Sequence, residues 1–305
     1  MKCVIDFLNV GFGEATVIRI IDGEQSSCLV VDGGDVDSLK NSRRCSLEQY
    51  VREHAIEKID VLILTHFHKD HIGGVLAMLG KLPIEQMLFH VMLPIHIMQS
   101  DLDDHSTPML ASLSLYKMLL TKANRLGIPM RLIKERHTFN ERGVSFSLLT
   151  PDQGKLQLLC DELDKLDMAQ LDQQQQRLSH IDRLLNETAL AVLIRHNGES
   201  AALLTSDVGL DFWEPYEGEI GRVRLLQAPH HGDAGCISQR LLKSLSPQMV
   251  VVSADDEGTY QLPQPEFEAF IREHSQAEVY YTEAEASTHR IIRIDINDWR
   301  LDLIR

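Results

Sequence analysis

Hydrophobic and polar positions alternate along this chain in short strand-like runs separated by longer helical ones. Residues 3–8, 15–21 and 27–31 read as strands. The first two are joined by Asn9-Val10-Gly11-Phe12-Gly13-Glu14, whose paired glycines mark a tight turn or a close backbone approach. Ser46-Leu47-Glu48-Gln49 has the form of a capping box opening a helix to about residue 57. The apolar run 59–64 reads as a buried strand, followed by a helix that begins near Gly73 or Gly74 and stops before Pro83. Residues 86–93 form a further strand. Thr107-Pro108 then opens a helix to Gly127, with proline in the first turn and glycine as the stop. Residues 131–133 and 144–149 are strands, and Thr150-Pro151 closes this half.

The segment 155–185 departs from this rhythm. Leu156, Leu159, Leu163, Leu166, Leu171, Leu178, Ile181 and Leu185 recur at helical spacing, with acids and glutamines between them. One helix is expected here, carrying the polar tract Gln173 to Gln176. It packs against its own domain in the first reading, and serves as a lid, a protein-partner surface or a self-association face in the second. Beyond it, 188–195 and 201–204 form a hairpin across His196-Asn197-Gly198-Glu199. Strands at 223–227, 249–253, 278–281 and 290–296 alternate with helices at 238–245 and 265–274. No Gly/Ser-rich linker interrupts the chain, so a single domain over 1–305 is expected, with helical inserts near 100–127 and 155–185.

Composition narrows the class. The 305 residues are 44% hydrophobic and 25% charged, as in soluble globular proteins, which is ample for a large core. No apolar stretch approaches the roughly 20 residues of a membrane helix, so no membrane partner is expected. Met1-Lys2 runs directly into a strand-like segment containing Asp6, without the apolar region of a signal peptide. The five cysteines are scattered, odd in number and without C-x-x-C pairing, which points to reduced thiols and a cytoplasmic setting. A formal net charge of −15 repels polyanions unless bound metal supplies local positive charge.

The chemistry concentrates in Thr65-His66-Phe67-His68-Lys69-Asp70-His71-Ile72-Gly73-Gly74, directly after the strand 59–64. Each imidazole carries two nitrogens that need partners, and a dense group of them with a carboxylate is a ligand set for zinc, manganese or iron. Three further strand ends carry polar residues: Asp32, Asp207 and His230-His231. Strand ends are where α/β architectures build sites. Taken singly, Asp32 is a turn former before Gly33 and Asp207 a cap; together with the His-rich stretch they complete two metal sites. His90, His96 and His105 lack ligand spacing and read as surface or core residues.

These pieces resemble the metallo-β-lactamase superfamily, and within it the hydrolase domain of ComEC-type DNA-uptake proteins and related free-standing hydrolases. Phe7-Leu8-Asn9-Val10-Gly11-Phe12-Gly13-Glu14-Ala15 resembles that group's F-L-D-V-G-Q-G-D-A opening. Val31-Asp32-Gly33-Gly34 resembles its D-G-G, and Thr65 to Gly74 its T-H-P-H-A-D-H-I-G-G. Asn186-Glu187-Thr188-Ala189-Leu190 resembles N-x-x-S-L, Leu203 to Asp207 L-L-T-G-D, and Ala228-Pro229-His230-His231-Gly232 V-P-H-H-G. Residues 95–130 and 155–185 lie outside these motifs.

The resemblance implies an α/β fold, a four-layer αβ/βα sandwich with helical insertions, and a binuclear metal-dependent hydrolase. His66, His68, Asp70, His71, Asp207 and His230 would be the metal ligands, with Asp207 bridging two divalent ions, zinc first and manganese second. Either member of the His230-His231 pair fits the ligand position. With His230 there, His231 is the candidate to contact substrate or protonate a leaving group, and Asp70 joins it as a catalytic residue. Asp32 would accept from a ligand histidine, and Asn186 would stand at a strand start behind the first ion. The implied substrate is a phosphodiester, with an ester, thioester, lactone or amide as the alternative. A metal-containing interaction module acting through the 155–185 helix is a third reading. The chain departs from the group at Ser206, Asp233 and Leu262, where glycine, serine and histidine are common, so the likeness is strongest at the metal and weakest at the substrate.

Overall fold

A computed structural model describes residues 1–35, 43–103, 106–216, 218–284 and 288–305. Their strands build two sheets. The first contains β1 (Lys2–Leu8), β2 (Thr16–Asp22), β3 (Gln25–Val31), β4 (Val61–Ile63), β5 (Met87–Phe89), β6 (Met130–Leu132), β14 (Ile291–Asp295) and β15 (Arg300–Ile304), in the order β15-β14-β1-β2-β3-β4-β5-β6. The second contains β7 (His137–Glu141), β8 (Val144–Leu149), β9 (Ala191–His196), β10 (Glu199–Leu204), β11 (Leu225–Gln227), β12 (Met249–Val252) and β13 (Glu278–Tyr281), in the order β13-β12-β11-β10-β9-β8-β7. Strands joined by hairpins pair antiparallel; β3 to β6 and β10 to β13 pair parallel, through helical crossovers or longer connections.

The pleat decides what each face covers. In β3, Leu29 and Val31 point between the sheets, where they meet Phe146, Val192, Leu204 and Val251 of the second sheet in one buried cluster. Val30, between them, faces the other way into a second cluster. That outer face is covered by α1 (Leu47–Glu53), α2 (Lys69–Met78), α3 (Ile95–Met98), α4 (Pro108–Arg125), α5 (Gln153–Asp164) and α6 (Gln175–Glu187). The outer face of the second sheet is covered by α7 (Gln239–Leu245) and α8 (Pro265–His274). Helices, sheet, sheet and helices therefore form the four-layer αβ/βα sandwich expected from the sequence. Among the described residues no helix is long and apolar enough to cross a membrane.

Several local expectations change. The segment 155–185 is two helices, not one. The glutamine tract spans their junction: Gln174 accepts from the Asp167 backbone N–H through its side-chain oxygen (3.2 Å) and donates to the Asp167 carbonyl (2.8 Å), closing a turn. This break lets Leu159 and Leu163 of α5 and Ile181 and Leu185 of α6 reach the same core. Thr188 belongs to the end of α6 rather than to a strand, and α1 stops at Glu53. The edge strands β7 and β15 escape sequence reading because neither buries a residue. His90 is buried after β5, and His96 Nε2 donates to the Leu166 carbonyl at 3.0 Å. His105 lies outside the described residues.

Helix α2 begins at Lys69, four residues before Gly73. The glycines are not its start; they mark a close approach. A Cβ on Gly74 would lie 1.9 Å from the Gly33 carbonyl oxygen, and one on Gly33 would lie 2.7 Å from the Val75 nitrogen. Main-chain hydrogen bonds from Gly33 to His71 (2.7 Å), from Gly74 to Gly34 (2.8 Å) and from Glu14 to Asp70 (3.1 Å) seat the first turns of α2 against the end of β3 and the β1–β2 loop.

Alanine normally favours a helix interior over glycine by about 1 kcal/mol. At Gly74 the overlap reverses the sign. Gly74→Ala is expected to cost about 2 kcal/mol, read as a lower urea midpoint, and an unchanged or higher midpoint would contradict the close approach. Burial pushes the His90 imidazole down to about 4. The unfolded chain therefore binds the extra proton first. His90 contributes stability that is complete above about pH 6.5 and lost as pH falls towards 4, of order 3 kcal/mol. An NMR titration of its ring with a midpoint near 6.5 would contradict this.

Candidate metal centre

The site forms where β3, β4, β10 and β11 end, and each strand delivers its residues by local geometry. After β4, Phe67 is buried and stacks on Tyr116 of α4 with ring centroids 4.5 Å apart and planes 2° from parallel. Alternation along the extended chain then turns His66 and His68 to the opposite side. Their ring nitrogens Nε2 and Nδ1 lie 3.0 Å apart. The first turn of α2 carries Asp70 and His71, and Asp207 follows β10. After β11, His230 (φ 47°), His231 (φ 56°) and Gly232 (φ 91°) are all left-handed. This costly backbone turn sends the two adjacent rings in different directions. His231 points inward and is buried, while the His230 side chain stays 27% exposed at the rim.

Ligand atoms of Asp70, His71, Asp207 and His231 all lie within 4.8 Å of one another, and so do those of His66, His68 and Asp207. Asp207 belongs to both groups. His71 Nε2 is 3.3 Å from Asp207 Oδ1 and 3.6 Å from Asp70 Oδ2. His231 Nε2 is 3.3 Å from Asp70 Oδ2 and 3.4 Å from Asp207 Oδ2.

The outward-facing nitrogens are held. Asp32 accepts from His71 Nδ1 at 2.8 Å and from the Thr65 backbone and hydroxyl at 2.9 and 2.6 Å. The Ser253 carbonyl accepts from His231 Nδ1 at 2.7 Å. The hydroxyls of Thr65 and Ser206 stand 3.2 and 3.5 Å from His66 Nδ1. His68 Nε2 faces Asp182 Oδ1 at 3.2 Å.

The inward atoms are a different matter. His71 Nε2, His231 Nε2 and Asp207 Oδ1 are buried without a hydrogen-bond partner. Orphaned polar atoms of this kind need an explanation, and a shared cation supplies one. The donor set, imidazole nitrogens and carboxylate oxygens, fits divalent zinc or manganese. Burial pushes all these groups towards their neutral forms, yet His71 and His231 hold the Asp70 and Asp207 carboxyls below the ordinary carboxylate range. The carboxylates hold His71 and His231 above the ordinary imidazole range in return.

Of the residues singled out in the sequence, His66, His68, Asp70, His71 and Asp207 come together, with Asp32 behind His71. His231, rather than His230, stands in the four-residue group. His230 already uses both nitrogens: Nε2 is 3.1 Å from the Asn186 amide, and Nδ1 is 3.4 Å from Asp233 Oδ2. Asn186 itself sits in the last turn of α6, not at a strand start. Sequence reading missed Glu14 and Asp182 as site residues. Glu14 is buried beside Asp32 and His71, and burial raises its carboxyl to about 8. A carboxylate between two glycines and an alanine in an apolar hairpin was the available signal. The centre opens into a cavity of about 490 Å³, lined among others by Phe12, Met109, Asp182, Asn186, Tyr260 and Leu262.

Parts of this chain are similar to known proteins. The family model described as "Metallo-beta-lactamase superfamily" matches residues 8–107, which include the His66-to-His71 cluster. A hydroxyacylglutathione hydrolase of Aeromonas hydrophila subsp. hydrophila is 39% identical over 59 residues, 19% of this chain; the match spans only 20% of that protein's length. Among solved structures, Igni18, a metallo hydrolase from the archaeon Ignicoccus hospitalis, superposes with a TM-score of 0.49 at 15% identity, over 95% of this chain and 98% of its own. YhfI, a metallo-β-lactamase fold protein from Bacillus subtilis, gives 0.47 at 12% identity, over 93% and 98%. The family match and the sandwich with its His/Asp cluster support a metallohydrolase.

Zinc added to chelator-treated protein is expected to raise the melting temperature by several degrees, since occupancy at 100 times Kd is worth about 2.7 kcal/mol. Asp207→Ala, which takes an atom from both groups, should abolish that rise. A zinc response undiminished in this variant would dissolve the shared-ligand geometry.

Proposed function

We propose that this chain is a binuclear metal-dependent hydrolase and that its electrophile is a phosphodiester. One observation carries the reading: two groups of imidazoles and carboxylates share Asp207 at the floor of a cavity, with buried inward atoms left unpaired. His66, His68 and Asp207 would hold one ion, and Asp70, His71, Asp207 and His231 the other. Bound there, the ions would polarise a substrate oxygen and supply a water of lowered pKa as the nucleophile.

The remaining steps belong to the protein. Asp32, the Ser253 carbonyl and the Thr65 and Ser206 hydroxyls fix the rings of His71, His231 and His66, so that one nitrogen of each stays directed inward. His230 takes the role the sequence left between the two adjacent histidines. It lines the cavity with Asp233 behind its Nδ1, so once a substrate displaces the Asn186 amide from Nε2, a protonated ring can pass a proton from Nε2 to the leaving group. The Asp233 carboxyl is held low by His230 and stays ionised for that purpose. Phe12 and Tyr260, with centroids 5.2 Å apart, form an aromatic edge over the opening.

The phosphodiester is supported by the ComEC-like motif series at 7–15, 31–34, 65–74, 203–207 and 228–232. Hydrolysis of a thioester or other acyl ester on the same residues is a second reading, favoured by the 59-residue match to a hydroxyacylglutathione hydrolase. The five free thiols support a cytoplasmic setting for either.

Zinc- or manganese-loaded protein is expected to cleave bis-p-nitrophenyl phosphate. Cleavage of p-nitrophenyl acetate, nitrocefin or an acylated glutathione, without that of the phosphodiester, would transfer the assignment to acyl chemistry. Asp70→Ala and Asp207→Ala should each lower turnover by roughly a thousandfold or more, because each leaves misaligned neighbours around a missing charged ligand. Near-native turnover in either variant would remove the reading altogether.

A further inference from the structure

Helix α6 up to Leu185 lies outside the strand-end motifs, yet one of its faces looks into the metal centre. Gln175, Ser179, Asp182 and Asn186 are spaced four, three and four residues apart and line the cavity. Ile181, Leu184 and Leu185 occupy the buried stripe and fix the helix to the core. Ion pairs of Arg177 with Glu162, and of Lys155 with Glu187 (3.1 Å), tie α6 to α5. The polar stripe is therefore held in place from behind, independently of anything bound in the cavity.

Within that stripe Asp182 makes the informative contact. Four imidazoles face inward at this centre, and each has a second nitrogen that must be satisfied. Three of them are served by buried groups next to the strand ends: His71 by Asp32, His231 by the Ser253 carbonyl, and His66 by the Thr65 and Ser206 hydroxyls. The fourth, His68, is served by Asp182, whose side chain is 49% exposed. A carboxylate accepting from Nε2–H fixes the tautomer and leaves the Nδ1 lone pair turned towards His66 Nε2. His68 belongs to the group of three ligands, not the group of four, so misorientation of one ring removes a larger share of the donors.

We propose that Asp182 is a positioning residue for the metal held by His66, His68 and Asp207, so that the inserted helix α6 sets the affinity of one metal position and not of the other. This rests on the two-metal reading above. The competing account is an ordinary half-exposed ion pair, worth about 0–1 kcal/mol to stability and nothing to metal binding.

The test titrates zinc into chelator-treated full-length protein in competition with a chromophoric chelator. Unaltered protein should take up two equivalents. Asp182→Ala should weaken one of them by about 10- to 100-fold and leave the other unchanged, and Asp182→Asn, which keeps an acceptor oxygen, should recover part of the loss. Proton NMR of the cobalt(II)-loaded protein gives a second readout. One solvent-exchangeable imidazole N–H resonance should be lost by rapid exchange in Asp182→Ala and retained in the asparagine variant. Two equivalents bound equally well by Asp182→Ala would overturn the positioning role while leaving the metal centre standing. Absence of uptake by unaltered protein would instead overturn the metal centre, and this role with it.

Discussion

An imidazole ring has two nitrogens on opposite edges, and only one of them can face a shared centre. Burying four such rings around Asp207 is possible because the other nitrogen of each has a partner fixed by the fold. Without those partners the rings would rotate or leave polar atoms stranded at both edges, at a cost of about 1–3 kcal/mol for each buried unsatisfied group. With them, the atoms of these four rings and of Asp207 left unsatisfied are the inner nitrogens of His71 and His231 and one carboxylate oxygen. These three atoms bring unmet hydrogen-bonding demand together in one small volume. Demand of this kind is what makes a site receptive to a cation.

Holding that arrangement requires backbone elements to approach more closely than side chains normally permit. Glycines at 33 and 74 allow the end of β3 to touch the second turn of α2, and main-chain bonds clamp them there. Asp70 then sits in the first turn of a helix, where a carboxylate is favoured by the unpaired N–H groups and the helix dipole. The left-handed run from His230 to Gly232 does the equivalent work after β11. It separates two sequence neighbours into one buried ring and one at the cavity rim. Both devices spend backbone freedom or strain at the site, while the apolar clusters between and outside the sheets supply the surrounding stability.

The substrate side is built from different material. Phe12 comes from the β1–β2 loop, Met109 from α4, Asp182 and Asn186 from α6, and Tyr260 and Leu262 from the loop before α8. The inserted helices bury their apolar stripes in the molecule's own core and present polar residues to the cavity. Their contribution to function is therefore a wall beside the metal centre. Loops and inserted helices beside the metal centre define the shape and charge of the opening.

Much of this was legible in the sequence, for physical reasons. Buried strands and amphipathic helices declare themselves by period, so most of the elements follow from the order of residues, while the four-layer sandwich was implied by the resemblance of the motifs. The cluster from His66 to His71 is equally plain, because ligands adjacent in sequence must be adjacent in space. Edge strands β7 and β15 left no signal, since neither buries a residue, and the break between α5 and α6 was hidden because leucines on either side keep helical spacing. The choice between His230 and His231 could not be read from two identical neighbours; it was made by backbone dihedrals that only the folded loop imposes. Asp182 shows the same limit more sharply. On its own it is one acid among many on an amphipathic helix, and its meaning comes from packing α6 beside His68, 114 positions away in the chain. Sequence determined which atoms could bind a metal, because that depends on chemical type; tertiary structure decided which of them face it, because direction is a property of the fold.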